Sequence, residues 1–165
     1  MALAEGDAVP FGPESGVVID VSGHTLGHIA YVFADSGLAF TGDSLMAAGC
    51  GRLFEGSADQ MWASLQKLAA LPDATQICSG HEYTASNLRF AAAMEPANPA
   101  IAARTLRVMK ARAEGRPSVP SRLSGERATN PFLRASRPEM KAALGMEDES
   151  DAAVFAELRA RKDRF

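Results

Sequence analysis

The sequence changes character at Thr84, and this change limits the folds that the chain can adopt. Before Thr84, short β-branched runs such as Val17–Val21 and Ile29–Ala34 alternate with glycine-rich loops. After Thr84 these runs disappear, and alanine-rich segments with helical spacing replace them. β-branched runs favour strands, whereas apolar residues three and four positions apart favour amphipathic helices. We therefore predict an α/β (α+β) chain, with a mixed β/α part over residues 1–82 and a helical part over residues 83–165.

The first part contains the patterns of a hairpin and a crossover helix. The run Ile29–Ala34 turns through Asp35-Ser36-Gly37 into a second apolar run, which indicates a hairpin. Ser57 and Gln60 have the spacing of a capping box, and apolar residues recur at helical intervals behind them. Thr75–Cys78 then forms a short apolar run, which is typical of a buried strand that follows a crossover helix.

The second part contains start and stop signals of helices. Thr84 is predicted to cap the first helix, because threonine is a favoured residue at that position. Asn98 followed by Pro99 predicts the start of the next helix, and Gly115 marks its end. The rest is predicted as a polar connection and two short helices, at Arg116–Asn130, Glu139–Leu144 and Asp151–Lys162.

The first ten residues, Met1–Pro10, carry no basic segment and no apolar segment, so they do not predict a secretory signal. Acidic residues, glycine and proline predict a loop that leads directly into the strand Val17–Val21. Two explanations of this loop stay open. It is either a frayed terminus or the second half of a hairpin from an earlier strand.

Charge and cysteine content exclude several classes of function. Seventeen Lys and Arg residues against twenty Asp and Glu residues give a net charge of −3, which leaves no basic footprint for nucleic acid or a membrane surface. No stretch is long and apolar enough to span a bilayer. Cys50 and Cys78 are too few for a disulfide framework. We therefore expect a globular protein of the reducing cytoplasm, with neither nucleic acid nor membrane as a partner.

Three side chains that can bind metals follow separate predicted strands. His24, Asp43 and His81 each lie in a loop that contains glycine. Loops at the carboxyl ends of strands project side chains into a shared crevice, and imidazoles with a carboxylate suit Zn, Fe or Mn. Any one of these residues alone is more often structural, but the three together indicate a hydrolytic metal site. His28 precedes an apolar strand, so we assign it a supporting role.

Several runs of the sequence resemble one family in the same order. In the first part they are Gly23-His24-Thr25-Leu26-Gly27-His28-Ile29, Phe40-Thr41-Gly42-Asp43-Ser44-Leu45, Gly49-Cys50-Gly51-Arg52-Leu53-Phe54-Glu55-Gly56 and Gly80-His81-Glu82-Tyr83-Thr84. In the second part they are Glu95-Pro96-Ala97-Asn98, Val119-Pro120-Ser121, Asn130-Pro131-Phe132-Leu133-Arg134 and Arg159–Phe165. Together they resemble glyoxalase II, the hydroxyacylglutathione hydrolase branch of the metallo-β-lactamase superfamily. The resemblance extends over nearly the whole chain from Val17 onward.

The resemblance implies a fold and a reaction. The fold is the second half of the metallo-β-lactamase αβ/βα sandwich, followed by a small helical C-terminal domain. The reaction is hydrolysis of S-(2-hydroxyacyl)glutathione thioesters such as S-D-lactoylglutathione to a 2-hydroxy acid and glutathione. His24 would bind the first of two zinc ions, His81 would bind the second, and Asp43 would bridge both. A hydroxide that bridges the metal ions would attack the thioester carbonyl, and Fe or Mn could replace zinc.

The resemblance also implies residues that bind glutathione. Phe54 stands where relatives often have tyrosine, so a hydroxyl contact is in doubt there. On residue type alone, a basic pair on a terminal helix is usually a solvated face. Cys50 is expected to be structural rather than a nucleophile. The six residues implied to contact glutathione are Arg52, Phe54, Tyr83, Asn87, Arg159 and Lys162.

One motif of the family has no counterpart in this sequence. The family has an upstream Thr-His-x-His-x-Asp-His run, and its absence leaves one histidine for each metal ion plus the bridge. Zinc sites normally hold three or more protein ligands, so tight binding of two ions by this chain alone is not expected. The inner apolar face of the sheet would also be uncovered. We therefore expect a truncated sequence, a wrongly assigned start or a split gene, with self-association or a complementing N-terminal fragment.

Two alternatives to catalysis remain open at this stage. In the first, the chain is a non-catalytic module that binds glutathione or a partner. In the second, it is a remnant without function.

Overall fold

The computed structural model describes residues 2–165, and a six-stranded sheet forms its centre. Two further short strands form a separate hairpin beside the sheet. In chain order the strands are β1 (Ala8–Phe11), β2 (Glu14–Asp20), β3 (Ile29–Phe33), β4 (Leu38–Gly42), β5 (Leu45–Met46), β6 (Gly49–Cys50), β7 (Gln76–Ser79) and β8 (Ser121–Arg122). The large sheet has the order β1-β2-β3-β4-β7-β8, and β5 pairs with β6.

The six helices found within residues 2–165 lie mainly in the second part of the chain. A short 3-10 helix at Pro131–Leu133 separates two of them. In chain order the helices are α1 (Ala58–Ala69), α2 (Thr84–Met94), α3 (Pro99–Ala113), α4 (Leu123–Thr129), α5 (Pro138–Leu144) and α6 (Asp151–Arg164). The architecture is thus mixed α/β with a helical C-terminal part, as predicted. None of these helices combines the length and the apolarity that crossing a membrane requires.

The predicted hairpin and crossover are confirmed. β3 and β4 pair antiparallel, with Tyr31 opposite Phe40. Ser57 accepts a hydrogen bond from the backbone of Gln60, and the Gln60 side chain accepts one from the backbone of Ser57, which completes the capping box of α1. α1 leads to β7, which pairs parallel with β4. This parallel pair puts the ends of β4 and β7 at the same edge of the sheet.

Three details of the prediction are wrong. The N-terminal loop contains β1, which pairs antiparallel with β2. The connection Arg116–Asn130 contains β8 and α4, and β8 pairs with β7 at the edge of the sheet. Thr84 is the first residue of α2 rather than its cap, a position that Tyr83 takes, and the Thr84 hydroxyl accepts a hydrogen bond from Ser118. The cap that Asn98 provides to α3 is confirmed.

The core lies between one face of the sheet, α1 and α6. Ala30, Ala39 and Ile77 supply this sheet face, and all three are fully buried. From the helical side, Phe155 of α6 packs on Trp62 of α1, with ring centroids 6.1 Å apart. Burying aromatic and aliphatic side chains in this way is the main stabilising contribution to such a domain.

The opposite face of the sheet carries an exposed aromatic row. Phe33 packs edge to face with Phe11 on one side and with Phe40 on the other, at centroid distances of 6.1 and 5.9 Å. Phe11 is 75% exposed and Phe40 is 44% exposed. The predicted uncovered apolar face is confirmed at these residues. What covers this face stays a prediction.

A buried ion pair joins the helical part to the β5–β6 hairpin. Glu126 of α4 is fully buried and pairs with the buried Arg104 of α3. The second carboxylate oxygen of Glu126 accepts hydrogen bonds from the backbone N–H of Ala48, over 2.7 Å, and from the amide of Asn130. Ala48 has a φ of +56°, which is unusual for a residue with a side chain. Glu126 therefore holds the tight turn between β5 and β6 in place.

Candidate active site

His24 lies in the loop that follows β2, and two contacts orient its ring. Its Nδ1 lies 2.8 Å from the carbonyl oxygen of Arg52. A carbonyl oxygen can only accept, so Nδ1 carries a proton, and in the neutral ring Nε2 is the nitrogen with the free lone pair. The Phe54 ring packs on the imidazole with centroids 4.9 Å apart. This tautomer leaves Nε2 available to bind a metal ion.

Asp43 follows β4 at a tight turn that His28 supports. Gly42 has a φ of +51°, and a Cβ atom there would lie 2.5 Å from His28 Nε2, so only glycine fits. The backbone N–H of Asp43 donates a hydrogen bond to the same Nε2 over 3.0 Å. Burial, followed by the nearby His24, lowers the pKa of His28 and favours the neutral ring that accepts this bond. The supporting role predicted for His28 is confirmed.

His81 follows β7, and its loop lies directly against the Asp43 loop. Gly80 allows this approach, because a Cβ atom there would lie 2.8 Å from Asp43 Oδ1. The Tyr83 ring stacks on His81 with centroids 5.1 Å apart and planes 15° apart. About half of the His81 side chain is exposed, so its ring stands at the open side of the site.

The three predicted metal-binding side chains converge on one carboxylate oxygen. Nε2 of His24 lies 3.5 Å from Asp43 Oδ2, and Nε2 of His81 lies 3.6 Å from the same atom. In a tetrahedral zinc site with bonds of about 2.0–2.1 Å, two ligands of one ion lie roughly 3.3 Å apart. Each nitrogen–oxygen distance is therefore close to the separation expected for two ligands of one ion. Asp43 Oδ2 belongs to both pairs.

The donor set fits a divalent metal ion. Imidazole nitrogens and carboxylate oxygens are common ligands of divalent ions, and Nε2 of His24 and of His81 both face Asp43 Oδ2. Asp43 Oδ1 is buried and has no hydrogen-bond partner within residues 2–165. Over that same range, no three histidine, cysteine, aspartate or glutamate side chains cluster closely enough to hold one ion. The arrangement is instead two imidazole–carboxylate pairs that share an oxygen atom, which does not match a single ion held by all three side chains.

All nine residues predicted for the site line one cavity of about 550 Å³. The predicted metal-binding side chains form one end, and basic side chains form the other. Arg159 is buried and donates to the carbonyl oxygen of Cys50 over 3.0 Å and to Asp163 over 2.8 Å. The cavity therefore combines a predicted metal-binding end with a cationic end, and the positive charge suits an anionic substrate.

Lys162 stands beside Arg159 on α6 and faces two aromatic rings. Its Nζ lies 5.3 Å from the centroids of both Phe90 and Phe165. Burial, followed by the positive charges of Arg159 and of other nearby arginines, lowers the pKa of Lys162. A carboxylate bound here would offset this repulsion.

The other residues predicted to contact glutathione differ in side-chain exposure. Arg52, Phe54 and Tyr83 are exposed by half or more, so a ligand in the cavity can contact them. Asn87 is buried, and its amide donates to the carbonyl oxygen of Ala47 over 3.0 Å, so it supports the wall of the cavity. The substrate-binding roles of these residues stay predictions.

Sequence reasoning missed Asp163, the acidic side chain at the cationic end of the cavity. A signal was present, because Asp163 lies four positions after Arg159 on a helix, the spacing of an ion pair. Cys50 was assigned a structural role, and the structure agrees. Burial raises the pKa of its thiol to about 11, so it is a thiol rather than a reactive thiolate at neutral pH.

Comparison with family models assigns the two parts of the chain. The model described as "Metallo-beta-lactamase superfamily" matches residues 3–81. The model described as "Hydroxyacylglutathione hydrolase C-terminus" matches residues 82–165. The first part therefore has the fold of the metallo-beta-lactamase superfamily. Within this superfamily, the chain belongs to the hydroxyacylglutathione hydrolase family.

Relatives carry the same family name, and solved structures have the same fold. A protein of Cereibacter sphaeroides named hydroxyacylglutathione hydrolase is 64% identical over all 165 residues, and the chain spans 65% of that relative's length. A protein of Ruegeria pomeroyi with the same name is 59% identical, again with 65% of its length spanned. Among solved structures, ETHE1 from Myxococcus xanthus is 26% identical with a TM-score of 0.56, over 97% of this chain and 58% of that one. The BLEG-1 B3 metallo-beta-lactamase is 22% identical with a TM-score of 0.54, over 79% and 47%.

Proposed function

We propose that this chain carries part of the active site of a hydroxyacylglutathione hydrolase. The reaction is hydrolysis of S-(2-hydroxyacyl)glutathione thioesters, such as S-D-lactoylglutathione, to a 2-hydroxy acid and glutathione. The observation that supports it is the pair of imidazole nitrogens 3.5 and 3.6 Å from one carboxylate oxygen, at the wall of a cavity with a cationic end. The names of close relatives point to the same reaction.

In this proposal, His24, Asp43 and His81 hold two divalent ions, with Asp43 shared between them. Zinc suits imidazole and carboxylate ligands, and Fe or Mn are the alternatives. When bound, such ions lower the pKa of water and supply a nucleophile at neutral pH. The hydrogen bond from His24 Nδ1 to the carbonyl oxygen of Arg52 fixes the tautomer that can bind metal, and it also connects the metal end of the cavity to the substrate end.

The basic residues of the cavity orient the substrate. Arg159 and Lys162 bind the glycine carboxylate of glutathione, and Arg52 lines the same cavity. The carboxylate takes two or three charge-assisted contacts, which are stronger than neutral hydrogen bonds. Tyr83 and Phe54 pack beside the glutathione backbone, because the Tyr83 ring stacks on His81 and the Phe54 ring packs at an angle on His24, next to the metal end of the cavity. A thioester held in this way presents its carbonyl group to the metal end.

The histidines and the shared carboxylate supply two ligands for each ion, whereas a catalytic zinc ion normally holds three. We therefore propose that further ligands come from a complementing segment that is not included in residues 1–165. The exposed aromatic row of Phe11, Phe33 and Phe40 is a surface that such a segment or a second copy could cover. We further propose the reducing cytoplasm as the location, which the two free cysteines support.

A thioester assay tests the proposal. The chain is incubated with S-D-lactoylglutathione and either Zn or Mn, and the released thiol is measured by colour. We expect little turnover from the chain alone and recovery when the first third of a relative is added as a separate polypeptide. Asp43→Asn abolishes the recovered activity, whereas Asp148→Asn, an exposed change far along the sequence, leaves it unchanged. Absence of turnover with the complementing polypeptide would refute the proposed reaction.

A non-catalytic glutathione-binding role is the second candidate. The observation that favours it is the absence of a three-ligand cluster within residues 2–165, next to a cavity that Arg52, Arg159 and Lys162 line. Calorimetry with glutathione separates the two candidates. Affinity for glutathione without turnover under any of the conditions above would support this second role.

A further inference from the structure

The carboxylate of Asp163 lies between two arginines that come from different parts of the chain. Its Oδ1 accepts a hydrogen bond from Arg159 Nη2 over 2.8 Å. The same oxygen lies 3.8 Å from Nε of Arg52. Arg52 follows β6, whereas Asp163 and Arg159 lie in α6. Asp163 therefore connects the two walls of the cavity at its cationic end.

The two arginines depend on Asp163 to different degrees. Arg159 is 5% exposed, donates to the Cys50 carbonyl oxygen and stacks over the Phe132 ring, so its position is fixed by several contacts. Arg52 is 68% exposed, and its ion pair within residues 2–165 is the one with Asp163. A free arginine side chain has many rotamers, and a ligand must order them on binding. Asp163 restricts Arg52 before a ligand arrives.

Charge gives Asp163 a second effect on the same residues. Arg52, Arg159 and Lys162 all line this end of the cavity, and Asp163 is the acidic side chain among them. Without a counter-charge, like charges would push the exposed Arg52 toward solvent. The carboxylate offsets this repulsion and keeps Arg52 beside Arg159. A ligand carboxylate can then contact both guanidinium groups.

We propose that Asp163 is a positioning residue for the glutathione carboxylate and that it acts through Arg52. This inference rests on the proposed function, because it concerns the same cavity. It predicts that removal of the Asp163 charge weakens binding of the anionic ligand. Direct electrostatics alone predicts the opposite, because loss of a negative charge beside an anion site should strengthen binding. The sign of the change in Kd therefore decides between positioning and direct repulsion.

Calorimetry with S-methylglutathione and the full chain tests the inference. This thioether cannot be hydrolysed, so the measurement reports binding alone. We expect Asp163→Asn to raise the Kd roughly two- to fivefold, the range for loss of an exposed ion pair. Asp163→Glu restores part of the affinity, and Asp148→Asn, with the same charge change at an exposed site, leaves the Kd unchanged. Asn keeps an oxygen acceptor for Arg159, and thermal unfolding checks that the fold is retained.

A double-mutant cycle with Arg52→Gln shows whether Asp163 acts through Arg52. Arg52→Gln should raise the Kd by at least as much as Asp163→Asn, and adding Asp163→Asn to it should change little. Unchanged or tighter binding by Asp163→Asn, or full additivity of the two changes, would overturn the inference. No binding of S-methylglutathione by the unsubstituted chain would instead refute the proposed function. The Arg52→Gln measurement does not depend on the folding of the Asp163 variants.

Discussion

Replacement of Glu126 by alanine should strongly destabilise the fold. Glu126 is fully buried, pairs with the buried Arg104, and accepts hydrogen bonds from Ala48 and Asn130. Glu126→Ala leaves the Arg104 guanidinium in the interior without its counter-ion. It also removes the acceptor for the backbone N–H of Ala48, the residue with a φ of +56°.

The cost is set mainly by the uncompensated charge. Removal of one partner from a buried pair costs about 3–5 kcal/mol, whereas the total stability of a domain is about 5–15 kcal/mol. Glu126→Ala should therefore remove a large fraction of the free energy of unfolding. Replacement of both partners, by Glu126→Leu with Arg104→Met, should restore a large part of the loss, because neither charge is then buried.

Urea unfolding followed by fluorescence of Trp62, the single tryptophan of the chain, measures these changes. Glu157→Ala is the matched control, because Glu157 forms an ion pair with Arg161 on the surface of α6. It should cost only about 0.3–0.5 kcal/mol. A loss below 1 kcal/mol for Glu126→Ala, or a double variant less stable than the single one, would refute the reasoning about the buried charge.

Three further predictions concern metal binding, thiol reactivity and pH. In the chain combined with its complementing polypeptide, Asp43→Asn should lower zinc affinity beyond the about 10- to 100-fold cost of altering a residue that only supports a ligand, as measured by zinc titration; equal zinc affinity of the two combined proteins would contradict the shared-oxygen arrangement. At pH 8, iodoacetamide should label Cys78 well before Cys50, because burial raises the pKa of the Cys50 thiol to about 11. Mass spectrometry of peptides measures the labelling of each cysteine, and equal labelling rates would contradict this prediction. Hydrogen bonds from the hydroxyl and then the backbone N–H of Ser22 lower the pKa of Asp20, so its stabilising effect is present above its unfolded pKa and is lost as pH falls through the folded value. Asp20→Asn should therefore cost more stability at pH 7 than at pH 3 in urea unfolding, and the opposite order would contradict this sign.

Local signals predicted most of the fold. The capping box of Ser57 and Gln60, and Asn98 before Pro99, are complete within a few residues, so the sequence reveals them. β8 was missed because Ser121 and Arg122 carry no periodic pattern and form a strand only through pairing with β7. Short-range patterns cannot report such long-range pairing.

The site was predicted in the same uneven way. His24, Asp43 and His81 follow strands beside glycines, which marks them as a group even without a family resemblance. The six residues predicted to contact glutathione came from the resemblance, and they line the same cavity. Asp163 was missed because its contact with Arg52 joins residues far apart in the sequence, which only the folded chain brings together.

The pairing of β8 with β7 has a consequence for attempts to divide this chain. The backbone N–H groups of Leu123 and Ser124 donate to carbonyl oxygens of Thr75 and Asp73, so the attachment continues beyond the strand itself. An exposed strand edge is a template for aggregation. A helical region expressed by itself would lose this attachment, and the remaining β/α fragment would present a newly open edge to other chains. Grafting the helical region onto an unrelated scaffold therefore requires a host that supplies an equivalent strand.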